Sequence, residues 1–137
     1  MIDILMEQLV RHEGVRLKPY RDTVGKLTIG IGRNLDDVGI SEDEAYTMLR
    51  NDIQSVIKDL NDHLVWWNTM DEPRRIVLAN MCFNLGITKL LGFRNFLLNL
   101  QKGDYEQAAK HMEDSLWHKQ VKGRAIELEQ IMRTGET

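Results

Sequence analysis

The chain is 137 residues long, 42% hydrophobic and 28% charged, which supports one compact domain and excludes an intrinsically disordered chain. No apolar run approaches the roughly 20 residues of a membrane span, and the N-terminal MIDILMEQLVRHEG lacks the basic leader of a secretory signal. A net charge of −3 excludes broad electrostatic binding to nucleic acid and, taken alone, weighs equally against an anionic polymer. That total conceals segregation. Residues 11–33 carry six Lys/Arg against Glu13 and Asp22, a balance of +4, whereas residues 36–62 carry eight Asp/Glu against Arg50 and Lys58, a balance of −6. The single cysteine, Cys82, excludes an intramolecular disulfide and reads as core packing within IVLANMCF. His12, His63, His111 and His118 are scattered without zinc-type spacing, so neither a metal nor another cofactor is expected.

The first predicted element is a helix from Asp3 to Glu13, with Asp3 as N-cap and Gly14 at the stop position. Met6, Leu9, Val10 and Glu13 share one face of it, so burial of the stripe would favour a protonated Glu13. From Arg16 to Gly32 the pattern turns to strands. Pro19 discourages helix, and Asp22-Thr23-Val24-Gly25 reads as a hairpin turn in which Gly25 takes a positive φ. In the strand Lys26–Gly32, Leu27, Ile29 and Ile31 point one way and Thr28, Gly30 and Gly32 the other. This second face is nearly bare, as where a ligand or another backbone approaches closely.

Ser41-Glu42-Asp43-Glu44 is a capping box that opens a long helix through Leu60, with Ala45, Leu49, Ile53 and Val56 repeating at helical spacing. His63–Met70 breaks the pattern. Asp71 caps a second long helix, Pro73 is tolerated in its first turn, Ile76–Phe83 reads as buried nearly all round, and Gly86 ends it. Phe93, Phe96, Leu97 and Leu100 mark another helix, Tyr105, Ala108, Ala109 and Met112 the next, and a last helix covers about Arg124–Met132. The predicted fold is α+β, mainly α. It is one domain over 1–137, with a small hairpin-containing lobe and connecting helix at about 14–60, a larger helical lobe at about 61–137 joined by helix 1–13, and a ligand cleft between.

Glu13, Asp22 and Thr28 form the strongest chemical constellation. One carboxylate ends an apolar stripe and the other sits in a polar turn, the kind of contrast that separates an acid from a base. Glycoside hydrolysis needs that pair, and Thr28 could hold a water. Each residue also has an ordinary structural reading: a helix end, a turn former and a strand former.

The same residues carry a resemblance. His12-Glu13-Gly14, Tyr20-Arg21-Asp22-Thr23-Val24-Gly25 and Thr28-Ile29-Gly30-Ile31-Gly32 are similar to the catalytic block of phage T4-type lysozymes (endolysins, glycoside hydrolase family 24), whose Glu, eight residues, Asp, five residues, Thr pattern is met at Glu13, Asp22 and Thr28. Arg74-Arg75, Asn80-Met81, Phe83-Asn84-Leu85-Gly86, Gly92-Phe93, Trp117, Gly123-Arg124-Ala125 and Arg133-Thr134-Gly135 extend the likeness nearly end to end. The resemblance implies a lysozyme-like fold and a muramidase that hydrolyses the β-1,4 bond between N-acetylmuramic acid and N-acetylglucosamine in peptidoglycan. It makes Glu13 the general acid, and gives Asp22 and Thr28 the attacking water. Inversion then requires carboxyl groups about 6.5–9.5 Å apart. It further implies substrate contacts at Phe83 and Asn84, at Asn34, Phe96 and His111 although their residue types depart from the family's, and at Arg124, which either pairs with Glu13 or binds a substrate carboxylate. Trp117 reads as core.

Two departures stand out. Arg33 replaces the His common after Gly32 in such enzymes, altering any ion pair made there, and the stretch from Arg33 to Ile40 is short, implying a trimmed lower lobe. A lytic transglycosylase and an inactive lysozyme-like binder are the competing readings; the first needs no Asp22 and Thr28, and the second would be expected to lose Glu13 or Asp22. A helix-turn-helix regulator is disfavoured because no helix is basic enough for recognition. The resemblance also implies a monomer that collects in the host cytoplasm and reaches the wall with the help of a holin-type membrane protein. Lys119, Lys122 and Arg124 add cations to those of residues 11–33, predicting a locally positive cleft with salt-sensitive wall binding.

Overall fold

The computed structural model describes residues 1–137, which form eight helices and one three-stranded antiparallel sheet. The fold is α+β and mainly α, as the sequence predicts. The chain divides into two compact units, 1–48 and 49–137, a division that falls inside the long helix and groups the first helix with the sheet.

In the first unit, α1 spans Ile2–Glu13 and is stopped by Gly14, whose N–H donates to the Val10 carbonyl at φ 74°. Asp3 makes no cap, because the helix begins one residue earlier and Met1 holds the cap position without a side-chain bond. No residue of α1 is buried. β1 (Arg16–Arg21) pairs with β2 (Leu27–Gly30), and the register is irregular between Arg16 and Tyr20, where Pro19 has no N–H to give to the ladder. Gly25 takes the positive φ expected of it, 86°. The predicted strand through Gly32 is too long: Gly30 and Gly32 stand at φ 72° and 71° and end the extended run. The chain returns at once as β3 (Arg33–Asn34), antiparallel to β2, an element too short to show a period in the sequence.

The loop after β3 is fastened under the hairpin. Leu27 N–H donates to Asp36 Oδ2 at 2.8 Å, and Leu35 N–H donates to the Leu27 carbonyl at 2.7 Å. The capping box forms as read: Glu44 N–H donates to Ser41 Oγ at 3.1 Å and Ser41 N–H to Glu44 Oε1 at 2.9 Å. It opens α2 (Glu42–His63), and the acidic first turn suits the helix dipole.

The second unit holds the apolar core, drawn from residues between Leu60 and Met132. After a 3₁₀ segment at Val65–Thr69, Asp71 caps α3 (Glu72–Leu85) by accepting from Arg74 N–H, and Gly86 ends it at φ 82°. Val77, Leu78, Met81 and Cys82 are buried, but Ile76 and Phe83 at the ends of the same run are nearly half exposed, so the helix is not buried all round. Burial pushes the Cys82 thiol up, in keeping with a packing role. α4 (Ile87–Leu91), α5 (Arg94–Lys102), α6 (Tyr105–Glu113), α7 (Leu116–Val121) and α8 (Gly123–Thr134) complete the unit. Arg74 ties α3 to the chain's end: its guanidinium donates to the Met132 and Arg133 carbonyls at 2.7 and 3.0 Å and stacks 3.7 Å from the Tyr105 ring centroid. Its guanidinium lies beside Gly135, which ends α8 in the left-handed region at φ 70°, a conformation that favours glycine.

Candidate active site

The predicted acid sits where α1 stops. Gly14 turns the chain out of the helix, and the exposed Glu13 carboxylate lies against the backbone of Gly32, so that a Cβ added at Gly32 would fall 2.7 Å from Glu13 Oε2. The missing side chain at Gly32, just beyond β2, therefore admits this carboxylate. The apolar stripe of α1 is not buried: Met6, Leu9 and Val10 are exposed.

Asp22 is both a turn former and a candidate for chemistry. Its Oδ1 accepts from Val24 N–H at 3.0 Å and Lys26 N–H at 2.8 Å, while Oδ2 has no hydrogen-bond partner in the protein. Arg21 Nη1 donates to the Gly25 carbonyl at 3.1 Å and closes the turn from outside. Thr28 is 3% exposed, and its hydroxyl donates to the Lys26 carbonyl at 2.9 Å. Asp22 N–H donates to that same carbonyl. The backbone of Lys26 thus locks Asp22 and Thr28 together. With its proton committed, Thr28 Oγ1 has only lone pairs to offer, so it can accept from a water but not donate to one.

Asn34 is spent on the loop after β3: its amide donates to Asp37 Oδ2 at 3.0 Å and its oxygen accepts from Asp37 N–H at 2.9 Å. Arg33 is paired, donating to Glu44 Oε1 at 2.8 Å and to the Gly39 carbonyl at 3.2 Å.

The remaining predicted residues lie in the second unit. A cavity of about 520 Å³ there is lined by apolar side chains of α2 and α3, including Ile53, Ile57 and Phe83, together with Arg75, Asn80 and Arg124. Arg124 Nε and Nη2 both donate to Asn80 Oδ1, at 2.9 and 2.7 Å, a partner that sequence spacing could not assign. Arg75 Nε is buried without a hydrogen-bond partner. Asn84 Oδ1 accepts from Trp117 Nε1 at 2.8 Å, so this residue anchors a core tryptophan. Phe96 is 2% exposed and packs edge-on to Phe93 at 6.4 Å, which corrects its reading as a substrate contact: a side chain so enclosed shows no face to a sugar. His111 is half-buried on α6.

Comparison with known proteins identifies the family to which these residues belong. The family description Phage lysozyme matches residues 10–133. The chain belongs to the phage lysozyme family. It is a lysozyme-type glycoside hydrolase with peptidoglycan as its substrate class. The enzyme is 32% identical, over 96% of its length, to the pre-baseplate central spike protein of Enterobacteria phage T4, of which it spans 28%. It is 32% identical over 90% of its length to an endolysin of Acyrthosiphon pisum secondary endosymbiont phage 1, covering 84% of that protein. It is also 24% identical over 98% of its length to probable T4-type lysozyme 1 of Dictyostelium discoideum, covering 96% of it.

Proposed function

We propose that the enzyme hydrolyses the β-1,4 bond between N-acetylmuramic acid and N-acetylglucosamine by single displacement with inversion. Glu13 donates its proton to the leaving glycosidic oxygen. Asp22 Oδ2 takes a proton from the attacking water, which Thr28 Oγ1 helps to hold by accepting a hydrogen bond. The observation that carries this reading is the division of Asp22, whose Oδ1 fixes the hairpin while Oδ2 has no protein partner. Product analysis tests it. Mass spectrometry of soluble fragments should find reducing ends carrying the added water, and early-time NMR should find the α-anomer. Fragments lighter by one water, with anhydro ends, would instead establish a transglycosylase, the outcome that a lone acid would give.

For the biological setting we propose accumulation in the host cytoplasm as a monomer, release to the wall by a holin-type membrane protein, then lysis; the likeness to a protein named endolysin supports the lytic role. Expressed alone in bacteria, the enzyme should leave cells intact until a membrane-permeabilising protein is co-expressed; lysis without one contradicts the setting. Identity to the spike protein over nearly the whole chain favours a second setting, in which the same chemistry resides in a component of the phage particle. Detection of the chain in purified particles, rather than free in the lysate, would select it.

A further inference from the structure

The Glu13 carboxylate rests on a backbone shelf at Gly32, and the residue that follows the shelf is the most constrained cation of the first unit. Arg33 Nη1 donates both to the Gly39 carbonyl and to Glu44 Oε1, at 3.2 and 2.8 Å. The same Glu44 oxygen accepts from Ser41 N–H, at 2.9 Å, and Ser41 Oγ caps the first turn of α2. One carboxylate therefore joins the shelf, the loop after β3 and the N-terminus of α2. β3 itself is two residues long and is held by β2 alone, so its own ladder gives the shelf little support.

We propose that Arg33 is a positioning residue for Glu13. By anchoring the chain at Gly39 and Glu44, it fixes where the Gly32 backbone stands and so where the carboxylate resting on it is held. This inference rests on the assignment of Glu13 as the acid. An exposed ion pair adds little to stability, but placement of an acid matters far more to rate, since a displacement of about 1 Å can cost up to ~100-fold.

The full-length enzyme acting on soluble peptidoglycan oligosaccharides tests the proposal through the separate responses of kcat and KM. In Arg33→Gln, kcat should fall about tenfold or more while KM stays within about twofold, the signature of an interaction that matters in the transition state. Arg33→Lys, which keeps the charge and can reach Glu44, should recover a large part of the loss. Glu44→Gln, which removes the partner and leaves Arg33 in place, should reproduce the same split and guards against a folding defect peculiar to one variant. Wild-type kcat in both Arg33→Gln and Glu44→Gln overturns the proposal, as does a loss that follows only the folded fraction measured by circular dichroism. Full activity in Glu13→Gln would be a different failure, removing the acid assignment itself.

Discussion

Asp22 spends one oxygen on the hairpin and has the other without a protein partner, and this split allows structure and chemistry to be separated by a single atom. Asp22→Asn retains an acceptor for Val24 and Lys26 N–H but no base. It should keep the wild-type melting temperature and lose activity by about 10²–10⁴-fold, the usual weight of one acid–base group. A variant that melts normally and still clears peptidoglycan at near the wild-type rate would show that Asp22 is a turn residue only. The local placements of Glu13, Asp22 and Thr28 were legible in the sequence: a helix stop, a turn and a strand fix each one within a few neighbours. The core place of Phe96 was legible too, on one apolar face with Leu97 and Leu100, and only the resemblance made it a substrate contact; the pairing of Asn34 was not, since the hydrogen bonds of a loop amide are settled by loop geometry. Asn80 gave no signal as the partner of Arg124, which lies 44 residues further along the chain.

At the scale of elements, the caps were the clearest text. Ser41 with Glu44, Asp71, Gly14 and Gly86 all stand where helix-end chemistry places them. β3, α4 and α7 were missed because two, five and six residues are too few to display a period. Glu44 gives this scale its pH dependence. The Arg33 guanidinium, followed by the Ser41 N–H and hydroxyl, lowers its carboxyl from 4.5 to about 2. A carboxyl depressed on folding adds stability that is complete above its unfolded value and is lost as the pH falls through its folded value. The melting-temperature difference between the wild type and Glu44→Gln should therefore be constant above about pH 5 and shrink between about pH 4.5 and 2. A difference that stays constant on acidification would contradict the ion pair.

At the scale of the molecule, the two units are held by different forces. The buried apolar side chains all belong to 49–137, whereas Thr28 is the one buried residue of 1–48. Hydrogen exchange should accordingly find the amides of α3 and α8 the slowest, and those of β1 to β3 opening at much lower cost; equal protection across the two would contradict this division. The charge pattern is also sharpened. Lys26 is paired with Asp37 and Arg33 with Glu44, so part of the positive block is neutralised by acids of the block that follows it. Arg11, Arg16, Lys18 and Arg21 have no acidic partner. Binding of the Glu13→Gln variant to sedimented peptidoglycan should weaken as salt shortens the Debye length to about 8 Å, and binding indifferent to salt would remove these cations from the wall contact.

We assign Glu13 as the proton donor of this peptidoglycan hydrolase. The most direct test of this assignment is the clearing of a purified peptidoglycan suspension by Glu13→Gln beside the wild type, with the melting temperature of each recorded. Glu13→Gln should melt at the wild-type temperature and clear more slowly by about 10²–10⁴-fold; a folded Glu13→Gln enzyme that clears at near the wild-type rate would contradict the assignment.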